Sequence, residues 1–295
     1  MLGAIAGDIC GSSWEGAACP KERFKLFGYG SAFTDDTVCT VAVAKALLEQ
    51  SDVAKELKEW TNRYPNRGYG GRFIDWAQSD MGPYNSFANG GAMRVAPAGL
   101  LAASLDEADA LAEKTAEVTH NHPEGMRGAR AIAGAIWLAH QGLTEQQLRE
   151  QLTLRYGYDL SPTVASLAEN FGFTVLAEET VPMALIAALE ATSWADAVAN
   201  AVAIGGDADT LACMAGAVAE ARFGLPAEHA QAALPYLSAE MLPILEALYA
   251  KANRPCPWLA STDAQAKVTA SVGTQVQERS LVDQAKAWWK GRKSV

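Results

Sequence analysis

Two short stretches place carboxylates where helices begin. In "FTDDTVCTVAVAKAL", Asp35 and Asp36 stand side by side between Thr34 and Thr37, ahead of a run of small apolar residues. In "AIGGDADTLACMAGAVAEARFG", Asp207 and Asp209 precede Thr210 and a second small-residue run. Adjacent like charges repel, so each pair needs either open water or something that offsets its charge. Small side chains let two such helices approach closely, and four carboxylates with two or three hydroxyls then converge on one point. An all-oxygen set of this kind is hard, and it suits Mg²⁺, Mn²⁺ or Ca²⁺ rather than zinc or copper. Two divalent ions balance four negative charges, with Asp35 and Asp36 facing different ions or bridging them. The Gly205-Gly206 pair lets backbone approach the same point. Asp and Thr at helix starts also serve as N-caps that stabilise by about 1 kcal/mol. Capping and ligation are compatible, because different residues of each motif can do each job.

Other residues with chemical potential lie between these motifs. "GAIAGDICGSSWEG" interrupts an apolar run with Asp8 and carries Glu15 just beyond it, before a Gly-Ala-Ala stretch that lets Glu15 move. Taken alone, Glu15 reads as a solvated loop glutamate. "SFANGGAMRVAPAGLLA" opens a helix with Asn89-Gly90-Gly91, whose free N–H groups suit an anion. Arg94 then falls in the first turn, where a positive charge opposes the helix dipole. An anionic partner such as phosphate, or a nearby carboxylate, accounts for it. "VTHNHPEGMRGARAIAGAIWLAH" sets His120 and His122 around Asn121, immediately before a helix.

The elements that must position these residues are helical. Apolar residues recur at three- and four-residue intervals in an alanine-rich chain. The pattern predicts helices at roughly 35–50, 52–62, 68–79, 90–104, 106–118, 123–141, 144–152, 181–191, 194–203, 208–223, 227–232 and 238–250. Pro123 suits the first turn of its helix. "FGFTVLA" is the best candidate for a short extended piece. No long linker interrupts residues 1–255, which read as one all-α domain. Residues 256–295 change texture and read as a C-terminal tail or packed terminal helix, with Trp288 and Trp289 pointing about 100° apart.

Bulk composition narrows the function classes. The 295 residues are 49% hydrophobic and carry a net charge of −10, which disfavours general nucleic-acid binding. Five cysteines without a C-x-x-C pair argue against a zinc knuckle, and Cys39 and Cys213 read as core fillers. The N-terminal run lacks a basic n-region, so no signal peptide is expected. No stretch reaches the roughly 20 apolar residues of a membrane span. These features predict a soluble, cytoplasmic protein with no membrane partner.

In combination the motifs resemble the ADP-ribosylglycohydrolase family. The matching pieces are "GAIAGDICGSSWE", "FTDDT", "NGGAMRVAP", "TH" before a helix and "GGDADTLACMAGA", in the family's order, over residues 1 to about 224. The resemblance implies an orthogonal multi-helix all-α fold with a binuclear Mg²⁺ or Mn²⁺ centre. It implies metal ligation by Thr34, Asp35, Asp36, Asp207, Asp209 and Thr210, with Asp36 and Asp209 central to catalysis. It implies a catalytic or gating flap carrying Glu15, and ADP-ribose binding by Asn89, Gly90, Gly91, Arg94 and His120. Asp80-Met81-Gly82 looks like the family's D-x-G loop, set unusually close to "NGGAMR". The implied reaction is hydrolysis of the C1″ glycosidic bond of an ADP-ribosylated protein, nucleic acid or small molecule, releasing ADP-ribose. The alternatives are a catalytically silent ADP-ribose-binding or structural homologue, and a Mg²⁺-dependent phosphohydrolase.

Overall fold

The computed structural model describes residues 1–170 and 172–259. Helix α1 is Leu2–Gly11, α2 Asp35–Glu49, α3 Val53–Arg63, α4 Gly71–Ala77 and α5 Gly90–Met93. Then come α6 Ala96–Leu101, α7 Leu105–Ala116, α8 Pro123–His140, α9 Glu145–Tyr156 and α10 Val164–Glu169. The last are α11 Ala177–Glu190, α12 Trp194–Ile204, α13 Ala208–Phe223, α14 Ala227–Ala233 and α15 Met241–Lys251. Among the described residues there is no sheet, only isolated bridges pairing Ala17 with Gly206 and Ala88 with Leu176. The architecture is all-α, as the sequence predicts.

Helices α1 and α13 form the centre. Every residue of α1 is buried, and so is α13 from Ala208 to Glu220. A helix apolar on all sides has to lie inside the protein. Gly3, Gly7 and Gly11 recur every fourth residue, so they share one face of α1. A Cβ on Gly7 would fall 2.1 Å from the Ala212 carbonyl oxygen, and one on Gly11 would fall 2.5 Å from that of Ala208. The backbones therefore touch along a glycine seam. This corrects one expectation: the closest small-residue packing joins α1 to α13, and α2 meets α13 chiefly through side chains at its first turn. The remaining core is built on the fully buried Trp60, Trp76 and Trp194.

Local chemistry explains most helix ends. Thr34 caps α2, with Asp35 and Asp36 in the favourable first turn. Pro123 opens α8 behind a His122 cap. Thr144 and Gln147 form a capping box for α9, which Gly157 ends in the left-handed region.

Several boundaries differ from those predicted: α1 is absent from the predicted spans, and α9 runs on past 152 to Tyr156. The run at 90–104 breaks into α5 and α6, because Pro97 in the first turn of α6 has no N–H to extend a preceding helix. Helix α11 begins four residues early, drawn by Glu178 and Glu179 in its first turn, and leaves Pro182 inside. Helix α10, missed in the sequence, is started by a Thr163–Ser166 capping box.

Residues Met1–Trp258 make one packed unit. The predicted terminal helix with Trp288 and Trp289 lies outside the described residues. No described helix is long and apolar enough to cross a membrane. All five cysteines are free; Cys39 and Cys213 are buried, as predicted for core fillers.

Candidate active site and metal centre

The N-terminal ends of α2 and α13 and the C-terminal half of α1 bring acids to the floor of one cleft. The cleft has a volume of about 540 Å³, within the roughly 300–1,000 Å³ typical of small-molecule sites. Glu15, Asp35, Asp36, Asp207, Asp209 and Thr210 line it, facing Asn89, Gly90, Arg94 and His120. The two acidic motifs, whose Asp36 and Thr210 are 174 residues apart in the chain, share one site.

Carboxylate oxygens of Asp8, Asp36 and Asp209 come within 4.8 Å of one another, and so do those of Glu15, Asp207 and Asp209. Asp209 therefore belongs to both groups. The Thr210 hydroxyl donates to Asp36 Oδ2 at 3.2 Å, closing the gap between the two helix starts. Asp35 lines the cleft beside Gly68, with its N–H on the Arg67 carbonyl, but belongs to neither group.

Asp8 is the participant that sequence reasoning undervalued. It is fully buried on α1 and accepts from the Thr34 N–H at 3.0 Å, the Thr34 hydroxyl at 2.7 Å, the Thr37 N–H at 3.2 Å and the Thr37 hydroxyl. One carboxylate thus ties α1 to the first turn of α2 and orients the Thr34 side chain. The available signal was a charge inside an otherwise apolar helix, since buried charges are almost always partnered.

These carboxylates hold protons unusually tightly. Burial, opposed by bonds from Thr37 and Thr34, raises Asp8 to about 6. Burial together with neighbouring carboxylates raises Asp35 to about 8 and Asp209 to about 9. The same causes push Asp36 well up, and burial raises Asp207 and Glu15. Asp36 Oδ1 is buried with no hydrogen-bond partner. An orphaned anionic oxygen inside a cluster of acids and threonine hydroxyls fits a divalent cation, and the donor set is the hard one such ions prefer.

The opposite wall is built from the "NGGAMR" segment. Asn89 donates its amide to Asp207 Oδ2 at 2.7 Å, so this segment orients an acid directly. His120 Nε2 sits 2.8 Å from where a Gly90 Cβ would be, so only glycine admits the imidazole. Burial holds His120 neutral, well below its usual range. The Thr119 hydroxyl accepts from Arg94 Nη2 at 2.8 Å and lies 2.7 Å from His120 Nδ1. That hydroxyl has a second lone pair and its own proton, so it can pair with Nδ1 in either imidazole tautomer. Gly91 packs beneath, against the His120 side chain.

Three sequence expectations change here. Arg94 does not sit in a first turn; α5 ends at Met93 and Arg94 is its C-cap, so the dipole no longer calls for an anionic partner. It is fully buried, bonded to the Thr115 carbonyl and Thr119 hydroxyl, with Nε and Nη1 unpartnered. Glu15 is exposed at the cleft as expected, but the chain after it is not free. Gly16 N–H donates to the Gly206 carbonyl and Gly206 N–H to the Ala17 carbonyl, which anchors Glu15 beside Asp207. Gly206 permits this with a φ of 83°. Asp80 faces a separate surface depression with Lys58 and Asn62, and the cleft wall is taken by Gly68, Gly70 and Gly71 instead.

Comparison with known proteins bears on the family and the fold. The ADP-ribosylglycohydrolase family pattern matches residues 1–257. The chain is 28% identical over 270 residues to an uncharacterized protein of Archaeoglobus fulgidus, covering 77% of this chain and 87% of that one. It is 25% identical over 304 residues to ADP-ribosylhydrolase ARH3 of Danio rerio, covering 76% and 82%. Human ARH3 is 25% identical over 258 residues, covering 65% and 71%. A solved ADP-ribosylglycohydrolase-related protein complex superposes with a TM-score of 0.66 at 26% identity, covering 85% of this chain and 95% of that one. A glycine-seamed helix pair, two acidic helix starts and a family match over nearly all the described chain leave one conclusion: this chain belongs to the ADP-ribosylglycohydrolase family and is a glycosyl hydrolase.

Proposed function

We propose that the protein hydrolyses the C1″ glycosidic bond of an ADP-ribosyl group, with two Mg²⁺ or Mn²⁺ ions held by Thr34, Asp35, Asp36, Asp207, Asp209 and Thr210. The observation that carries this reading is Asp209, shared by two acid groups, beside an unpartnered buried Asp36 oxygen. Cations bound there would supply Lewis-acid chemistry and lower the pKa of water. Asp36 and Asp209 hold that charge at the cleft floor, and Asp8 keeps Thr34 turned toward it. Glycosidic cleavage develops oxocarbenium character, and a carboxylate moves the proton. Glu15 is the exposed acid in reach, with its pKa raised. Asn89 orients Asp207, Gly90 and Gly91 make room for His120, and neutral His120, in the tautomer that carries its proton on Nε2, would donate to a hydroxyl or phosphate oxygen. Arg94 acts behind His120 by fixing Thr119. Phe87 and Phe173, each about half exposed on the cleft wall, offer flat faces for a purine.

The test is a panel of substrates carrying ADP-ribose on arginine, serine, a nucleobase or an acetyl ester, or as a polymer, each with Mg²⁺ and with Mn²⁺. Free ADP-ribose released from at least one substrate supports the reading. Phosphate release in its place makes the protein a phosphohydrolase, and tight ADP-ribose binding without turnover makes it a silent binding protein.

A further inference from the structure

Arg72 stands at the cleft wall with no counter-charge. It is exposed, and its guanidinium carbon lies 5.1 Å from the centroid of the Tyr84 ring. Such stacking orients a guanidinium without neutralising it. Among the described residues no hydrogen bond or ion pair holds it. It sits in the first turn of α4, where a positive charge works against the helix dipole. Local structure therefore gives no reason for a cation at this position.

The cleft does give one. Its lining holds five carboxylates, Glu15, Asp35, Asp36, Asp207 and Asp209, against two arginines. Arg94 is wholly buried and its Nη2 is already bonded, so Arg72 is the exposed cation of the lining. Beside it Gly70 and Gly71 present bare backbone, with nothing within 4 Å of where a Cβ would stand. That leaves room for a ligand along this wall. An anion entering a cleft with an acidic floor needs a positive contact away from that floor. Arginine's planar fork of donors matches phosphate oxygens.

We infer that Arg72 is a specificity-determining residue that grips the diphosphate of the substrate. This rests on the ADP-ribosyl reading above. The diphosphate is the permanently anionic part of any ADP-ribosyl group, so it is the feature an unpaired arginine can read whatever the leaving group is.

Calorimetric titration of the Mg²⁺-loaded protein with ADP-ribose tests this, using wild type, Arg72→Lys and Arg72→Gln. Arg72 is exposed, so both variants should fold, and a melting curve checks that they do. Loss of charge-assisted hydrogen bonds should weaken ADP-ribose binding about tenfold or more in Arg72→Gln. Arg72→Lys should fall between the two, and wild-type affinity should decline with added salt more steeply than that of Arg72→Gln. Arg72→Gln binding within about twofold of wild type overturns the inference. If KM for an ADP-ribosylated protein nevertheless rises in that variant, Arg72 reads the leaving group and not the diphosphate. A wild-type protein that does not bind ADP-ribose removes the functional reading itself. Wild-type binding with an unchanged Arg72→Gln removes this inference alone.

Discussion

Four donors converge on the Asp8 carboxylate, two of them backbone N–H groups that cannot turn away. Asp8→Ala leaves both amides buried without an acceptor and should cost about 1–3 kcal/mol in a denaturant titration. Asp8→Asn can keep its oxygen on the amides and donate to the rotatable Thr34 hydroxyl, so its loss should be smaller. Equal stability of Asp8→Ala and wild type would show that Asp8 braces nothing. Glu15 sits at the other edge of the cluster. Glu15→Gln keeps shape and hydrogen bonding but cannot move a proton. Turnover should fall by at least the roughly 100-fold typical of a lost general acid or base, while ADP-ribose binding persists. Unchanged turnover returns Glu15 to a solvated loop residue, and lost binding in step with lost rate makes it an organiser of the cluster. The aspartates of both acidic motifs were legible in the sequence because they stand at helix starts, where a paired charge is conspicuous. Asp8 was legible only as an interruption. Its partners lie 26 and 29 positions away, and no local pattern reports them.

At the scale of elements, the site is held by the seam between α1 and α13. Gly7→Ala would drive a methyl to 2.1 Å from a backbone carbonyl oxygen, which no rotamer change relieves. Overpacking of this kind costs about 1–3 kcal/mol or more. Urea titration should show at least that loss, and a change under about 0.5 kcal/mol would contradict a backbone contact there. The i, i+4 spacing of Gly3, Gly7 and Gly11 gives α1 a bare face but does not name its partner. The sequence reading paired the two acid-bearing helices, since both had small-residue bodies. The structure pairs α13 with α1 and brings in α2 by hydrogen bonds. Helix type was readable almost throughout; the errors fell where a proline, a first-turn acid or a capping residue outweighed periodicity, at Pro97, Glu178 and Thr163, and at α1, which is buried on every side and so has no polar face to mark its period.

At the scale of the molecule, the acid cluster should couple stability to pH and, through the proposed metal centre, to divalent ions. Burial and mutual repulsion raise Asp8 to about 6, Asp35 to about 8 and Asp209 to about 9 in the folded chain. Unfolded, these groups release their protons near the ordinary aspartate value of 3.8. Between those limits the native state binds more protons than the unfolded chain, so stability falls as pH rises. In chelator, the melting temperature should drop steadily from about pH 5 to about pH 9. Mg²⁺ or Mn²⁺ favours the ionised form and should flatten or reverse that slope. A ligand bound only to the native state at a hundredfold excess over its Kd adds about 2.7 kcal/mol. Melting curves that are identical with and without metal at pH 8 would remove the metal centre from the account.

The central claim is that the shared acids at the starts of α2 and α13 carry out ADP-ribosyl hydrolysis. Asp36→Asn and Asp209→Asn keep the size of the side chain and much of its capping ability but remove the charge. The most direct measurement is the rate of ADP-ribose release by wild type and by these two variants under saturating Mg²⁺ or Mn²⁺, with helical content checked by circular dichroism. The account predicts native helicity and turnover near background in both variants. Near-normal turnover in both, with metal saturating, would contradict it and leave those aspartates as helix caps.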